Sequence, residues 1–362
     1  MSDARQNLLD LPPARAAEAV AAFLTAQGEP AYRAAQIVDW LWQKPVADFD
    51  GMSNLPKRLR DQLADAFTMP RLELLTQQQS QDGTRKFLFR LHDGQAIETV
   101  AIPDGDRMTL CISSQAGCAL KCAFCATGAM GFQRNLRPFE IAGQVRELAL
   151  LAEQPIRATN IVFMGMGEPL MNWPAVDATL SILNAPTGFG IGARHITIST
   201  VGVLPGIVAL SKRPEQFRLA ISIHAPTDEL RGTLMPVNIK FPLQEVIDAA
   251  REFDRRVTFE YVMLGGVNDK PVHADQLAAL AKDCRAFVNL IPLHPGGSMG
   301  FTPSTVEAMQ AFKRRVSAEG VEVAIRRSRG LDIAAACGQL RVERIGRRAP
   351  RAAEADGQVH VA

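Results

Sequence analysis

The sequence predicts an α/β protein: a partial (β/α)6 barrel of the TIM type, preceded by a small N-terminal helical domain and a β-hairpin linker. Three observations carry this expectation. Apolar residues recur at helical spacing between residues 14 and 64, they alternate at strand spacing between Lys86 and Ile102, and beyond residue 104 strand-like runs and helical stretches take turns.

In the first region Val20, Phe23 and Leu24 share one helical face, as do Ile37, Leu41 and Trp42, and then Leu55, Leu59 and Leu63. Gly28, Pro45 and the Ser53-Asn54 turn separate these short helices. In the second, Phe87, Phe89 and Leu91 face one way, Asp93-Gly94 makes the bend, and Ile97, Thr99 and Ala101 return. In the third, strands are expected over residues 109–114, 160–165, 195–200, 218–223, 257–264 and 287–293, with a last strand-like run over 321–326. A helix is expected over 138–151, because Pro138 suits a first helical turn and Ile141, Val145 and Leu148 form its apolar face. Six such repeats with short links suit an incomplete barrel, and a doubly wound open sheet is the alternative. The resulting division is 1–68 helical, 69–104 hairpin linker, 105–345 barrel, and 346–362 a basic tail expected to be disordered.

With 362 residues, of which 47% are hydrophobic, the chain can bury a large core. It has no charged-then-apolar leader and no apolar run near the ~20 residues of a membrane helix, so a cytoplasmic protein free of membrane is expected. Six cysteines in such a chain do not form a disulfide framework. The net charge of +2 excludes a uniformly basic surface, although arginines crowd between Arg326 and Arg351. That strip is either a solvated surface or a contact to phosphates.

Three cysteines are clustered: Gly117-Cys118-Ala119-Leu120-Lys121-Cys122-Ala123-Phe124-Cys125 follows the first expected barrel strand. A loop of this length wraps three corners of a cubane and leaves one iron without a thiolate. Zinc would want a fourth ligand, and no second Cys pair or nearby His supplies it. The motif resembles that of radical S-adenosylmethionine (SAM) enzymes, which also commonly carry an aromatic at the position of Phe124. The resemblance implies one 4Fe–4S cluster held by Cys118, Cys122 and Cys125, whose open iron chelates SAM. It further implies SAM contacts at the strand ends, from Gly167 and Glu168 in the run Gly165-Met166-Gly167-Glu168-Pro169, from Ser199, from Ser222, Ile223 and His224, and from Asn289. Taken singly, each of these also reads as a strand-end cap or a satisfied core polar group.

Five further runs sharpen the resemblance: Tyr32-Arg33-Ala34-Ala35-Gln36-Ile37, Leu55-Pro56-Lys57, Gly131-Phe132-Gln133-Arg134-Asn135-Leu136, Ser222-Ile223-His224-Ala225-Pro226 and Ala336-Cys337-Gly338-Gln339-Leu340. Together they resemble the RlmN/Cfr family of RNA adenosine methyltransferases, closest to its RlmN branch, over roughly residues 5 to 345. The resemblance implies methylation of carbon 2 of one adenosine in the peptidyl-transferase centre of 23S rRNA, and of the adenosine 3′ of the anticodon in some tRNAs. Two SAM molecules serve each turnover. The first methylates Cys337; the second is cleaved to a radical that takes a hydrogen from that methyl group, and the methylene radical adds to the adenine. Cys111 then attacks the Cys337 sulfur to release the RNA and leave a disulfide, and Glu98 occupies the position of the family's base. A low-potential electron donor such as flavodoxin or ferredoxin, and a monomeric state, complete the expectation. On their own residues, Cys111 and Cys337 also read as core cysteines, with Cys337 in a short helical stretch, and Cys284 reads as core. His294 departs from the family, which often carries Asn in that Pro-x-Asn-Pro turn.

Reaching a base edge inside folded RNA requires extruding it, and the N-terminal module with Arg33, Lys57, Arg58 and Arg60 is expected to grip the RNA. Its plainer role is that of a stabilising cap. Three other functions stay open: methylation at carbon 8, activation of a partner protein, and a non-enzymatic iron–sulfur RNA-binding module.

Overall fold

The computed structural model describes residues 5–294 and 300–340. Three helices open the chain, α1 (Pro13–Ala26), α2 (Arg33–Trp42) and α3 (Lys57–Ala66), and they bury Val20, Leu24, Ile37, Leu41, Leu59 and Leu63 as their spacing requires. Antiparallel strands follow: β1 (Glu73–Gln79), β2 (Arg85–Arg90) and β3 (Ala96–Asp104). The hairpin expected as a linker is continuous with the barrel sheet, because β3 pairs antiparallel with β4 (Arg107–Cys111) through Val100 opposite Cys111.

From β4 onward the pairing within this sheet is parallel, through β5 (Asn160–Phe163), β6 (Ile196–Thr200), β7 (Arg218–Ser222), β8 (Thr258–Met263), β9 (Phe287–Pro292) and β10 (Val323–Ile325). The run expected over 321–326 therefore adds a seventh parallel strand. Order across the ten-stranded sheet equals order along the chain, with no reversal. A doubly wound sheet needs a reversal at its switch point; successive right-handed crossovers in one direction put every helix on one face instead, which is barrel winding.

Those helices are α4 (Ala126–Met130), α5 (Pro138–Ala149), α6 (Trp173–Asn184), α7 (Leu204–Ser211), α8 (Asp228–Leu234), α9 (Leu243–Glu252), α10 (Pro271–Asp283) and α11 (Val306–Ala318). The N-terminal module docks on α5. Arg146 of that helix is wholly buried and donates to the backbone carbonyls of Leu41 (3.1 Å) and Val46, while Arg71 donates to Glu147 at 2.6 Å. A buried arginine survives there because these carbonyls and the neighbouring Glu147 replace its water. Among the described residues no helix is long and apolar enough to cross a membrane. The tail expected over 346–362, and the arginines from Arg341 on, lie outside the described residues.

Candidate active site

The strands' C-terminal ends surround a cleft. Cys118, Cys122 and Cys125 line it together with Glu168, His224 and Cys337. The cysteine loop is pinned at several points. The Cys118 N–H donates to Gly131 O at 3.0 Å, Ala123 N–H to Leu234 O at 2.9 Å, and Cys125 N–H to Cys122 O at 3.0 Å before α4 begins. Burial raises the Cys118 thiol to about 11 and pushes Cys122 up as well, the neighbouring thiols adding to the shift. Free thiols in such a place stay protonated, and a bound metal would displace the protons.

Among the described residues no three His, Cys, Asp or Glu side chains close around a single ion. The three thiols instead border one shared cavity, a spread that suits three corners of a cubane better than the shell of one zinc. The donor set therefore fits a 4Fe–4S cluster that would take three of its ligands from Cys118, Cys122 and Cys125.

Glu168 follows Gly167, whose φ of +98° and close approach to Gln115 leave no room for a side chain. The Glu168 carboxylate accepts from Leu170 N–H (3.1 Å) and Val201 N–H (2.9 Å), and burial lifts it to about 7. His224 has φ +56°, accepts at Nδ1 from Val262 N–H (3.0 Å), and sets its ring edge-on to Phe124 with centroids 4.7 Å apart. Burial pulls its ring down to about 3, so it is neutral. Ser199 and Ser222 border the cleft, as expected of strand ends.

Two expected contacts are placed differently. Ile223 is fully buried with its N–H donating to Glu260 O, and it does not line the cleft. Asn289 donates to the Glu260 carboxylate at 3.0 Å, and Glu260 is the group that reaches the cleft. Sequence reasoning missed Glu260, although an acid inside the apolar run Phe259-Glu260-Tyr261-Val262 of a parallel strand is itself a signal.

A second cleft opens beside the first, and Cys337 borders both. Cys111 at the end of β4 borders only the second, with Arg107, Arg327, Arg329 and His294 around it. Burial pushes the Cys111 thiol up to about 12. Arg326 stands at the junction of the two clefts, donating to Met164 Sδ at 3.6 Å, and its charge opposes the rise at Cys111. Thus one arginine of the basic strip turns inward, Arg329 is half-buried against Asp104, and Arg327 is exposed. Cys337 lies in a turn rather than a helix; the short 3-10 turn nearby covers Leu331–Ile333. Its loop is stitched to α4, since Ala126 N–H donates to Gly338 O (2.8 Å) and Thr127 Oγ1 to Leu340 O (2.6 Å). Cys284 is half-buried at the end of α10, donates to the Ile247 carbonyl of α9, and lines neither cleft.

Glu98 sits on β3, on the sheet face shared by Val100 and its partner Cys111, and lines neither cleft. It is 4% exposed and ion-paired with Lys86 at 3.0 Å. In the N-terminal module Arg33 pairs with Glu29 and Arg60 with Asp50, which leaves Lys57 and Arg58 exposed.

Residues 112–278 match the radical SAM superfamily, and residues 6–69 match the N-terminal domain of ribosomal RNA large subunit methyltransferases. A probable dual-specificity RNA methyltransferase RlmN of Gemmatimonas aurantiaca is 72% identical over 356 residues, 98% of this chain and 99% of that one. This chain belongs to the RlmN family of radical SAM enzymes. The dual-specificity RNA methyltransferase RlmN of Anaeromyxobacter dehalogenans is 43% identical, covering 95% of this chain and 94% of its own. A crystal structure of a radical SAM methyltransferase from Sphaerobacter thermophilus superposes with a TM-score of 0.87 at 45% identity, over 93% of this chain and all of that one. The cofactors of the family are a 4Fe–4S cluster and SAM.

Proposed function

We propose that this protein methylates carbon 2 of an adenosine in 23S rRNA and in tRNA, using Cys337 as the methyl carrier. The observation that carries the reading is the position of Cys337 on the boundary between the cysteine-lined cleft and the basic cleft that holds Cys111. A thiol placed there can meet SAM on one side and a nucleobase on the other.

The cluster, held by Cys118, Cys122 and Cys125, supplies reductive cleavage of SAM when bound. The remaining chemistry belongs to side chains. Carbon 2 of adenine is electrophilic and cannot attack a sulfonium methyl, so the methyl group is first displaced onto the Cys337 thiolate and delivered from there. Arg326 places positive charge at the junction, where a thiolate of Cys337 or Cys111 forms. Glu168 and Glu260 offer carboxylates to the amino end of SAM, and Ser199 and Ser222 offer hydroxyls. Cys111 attacks the Cys337 sulfur, whose bond to the ring-bound carbon breaks with its electron pair going to that carbon; the carbon takes up a proton to become the product methyl group, and the disulfide so formed must be reduced before the next turnover. Glu98 takes the ring proton. The arginines of the second cleft, with Lys57 and Arg58 on the N-terminal module, hold the RNA backbone. A low-potential flavodoxin or ferredoxin serves as electron donor to a monomeric enzyme in the cytoplasm, where its RNA substrates are.

Anaerobic reconstitution with iron, sulfide, SAM, reductant and an rRNA fragment, followed by nucleoside mass analysis, tests the proposal. It expects 2-methyladenosine. A product methylated at carbon 8 would move the protein to the other branch of the family, and SAM cleavage with no RNA methylation would refute the reading.

A further inference from the structure

The loop that carries Cys337 is fastened to the tip and stem of the hairpin formed by β1 and β2, some 250 residues earlier in the chain. Ser80 Oγ donates to the Asp332 carboxylate at 2.6 Å and Gln81 N–H to the same group at 3.2 Å. The Gly330 N–H donates to Asp82 at 3.0 Å. Next along the stem is Lys86. Its ammonium donates to the carbonyl of Ala334 at 3.4 Å and is ion-paired with Glu98 at 3.0 Å, both side chains being largely buried (12% and 6% exposed). One cation therefore touches the base of the proposed reaction and the loop bearing the methyl carrier.

We propose that Lys86 is a positioning residue for RNA methylation: it holds the Glu98 carboxylate in its charged form and registers it against the Cys337 loop through Ala334. The inference rests on the reading of Glu98 as base. Burial disfavours a lone carboxylate, and an ammonium in contact with it restores the charged form, the form that can accept a proton. The carbonyl contact adds a geometric link. A displacement of the loop pulls on the same ammonium that orients the base, so carrier and base move as a unit. The charged or titratable groups on this face and on the elements packed over it are Lys86 and Arg90 on β2, Asp104 on β3 itself, Arg107 and Cys111 on β4, His294, Arg326, Arg327 and Arg329 around the second cleft, and Cys337 in the loop. Lys86 forms an ion pair with Glu98 at 3.0 Å. A lysine on the strand Arg85-Lys86-Phe87-Leu88-Phe89-Arg90 would ordinarily be solvated, so its burial against an acid needs a reason, and this role supplies one.

The test uses cluster-loaded enzyme in single turnover, following release of the RNA–protein adduct on denaturing gels across a pH series. Lys86→Gln removes the charge while keeping a donor for Ala334, and Lys86→Arg keeps the charge. SAM cleavage and Cys337 methylation, read by peptide mass, report that each variant is folded and loaded. In Lys86→Gln the acid limb of adduct release should move up by roughly one unit or more, the size an adjacent opposite charge imposes on a carboxylate. Lys86→Arg should stay near the wild-type profile. If Glu98→Gln slows release but Lys86→Gln leaves the pH limb in place, Lys86 has no such role and Glu98 remains the base. If Glu98→Gln does not slow release, the base assignment fails and takes this inference with it. If Lys86→Gln does not load its cluster, Lys86→Met takes its place: the same upward shift of the limb supports the role, and a limb left in place overturns it.

Discussion

Replacing Gly330 with Ala should detach the Cys337 loop while leaving the barrel folded. Gly330 has φ +64°, where a side chain costs about 1–2 kcal/mol. A Cβ there would lie 2.8 Å from Ala335 Cβ and 2.9 Å from Thr84 Cγ2, and such overpacking costs about 1–3 kcal/mol. The penalty is thus roughly 2–5 kcal/mol, and its lower end already changes a closed-to-open ratio about thirtyfold. The structure can shed this strain by opening the hairpin clasp, which is held by a few hydrogen bonds to Asp82 and Asp332, sooner than by disturbing the sheet. The assay is the rate of Cys337 methylation by SAM in cluster-loaded protein, read by peptide mass, with thermal unfolding in parallel. A loss of about tenfold or more in rate, with a small change in Tm, is expected. Gly28→Ala is the control, because Gly28 has φ +70° with open space around it and bears strain alone, far from the site. A Gly330→Ala enzyme whose Cys337 is methylated at the normal rate would refute the clasp as the device that places the thiol.

Three further outcomes follow from the same geometry. Replacing Cys118, Cys122 or Cys125 singly with Ala should abolish iron binding and SAM cleavage, measured by iron content and visible absorbance; a fully loaded cluster in any of them would remove that residue from the ligand set. Cys111→Ala should retain SAM cleavage and Cys337 methylation yet trap the enzyme covalently on its RNA, and the trapped band should vanish when Cys337 is replaced too. Normal turnover by Cys111→Ala would reduce Cys111 to packing. The apo-protein should lose stability as the pH falls from about 6.5 toward 3, because an unfolded chain protonates His224 in that window while burial keeps the folded ring neutral. The contribution is at most about 1.4 kcal/mol per pH unit, and His224→Gln should flatten the denaturant midpoint against pH by that much; equal slopes in both proteins would count against it.

What could be read from the chain was what is local in it. The cysteine triplet is contiguous, so its chemistry needed no fold. Gly167, Glu168, Ser199, Ser222 and His224 could be placed because barrel chemistry collects at strand ends, and the strands announce themselves by apolar runs. One residue decides the face at Ile223, which turns away from the cleft that Ser222 lines, whereas Asn289 shares the face of its register partner Glu260 and meets the cleft only through that carboxylate. Lys86 and Arg326 lie where charge usually means solvent, and only tertiary packing turns them inward; Glu260 is different, since its apolar run marks it as buried but not as part of the cleft. The clasp was invisible for a different reason. Asp82 and Gly330 are 248 residues apart, and no local rule brings them together.

That clasp also fixes the shape of the barrel. In a flat sheet β10 and β2, eight strand spacings apart, would be separated by roughly 38 Å. Yet only five residues run from Ile325 at the end of β10 to Gly330, and an extended chain of that length reaches at most about 18 Å. Gly330 nevertheless meets the β1–β2 turn, so the sheet must curl until its opposite edges approach. The C-terminal loop then bridges the gap that hydrogen-bonded strands leave open. Curling explains why Cys111, at the end of the first parallel strand, and Cys337, beyond the last, border one cleft although the sheet holds their strands six places apart. An incomplete barrel is left open on one side, and here the segment that spans the opening carries Cys337. Access for RNA and placement of the methyl carrier are therefore set by the same few bonds between Ser80, Gln81, Asp82, Lys86 and the residues 330–334.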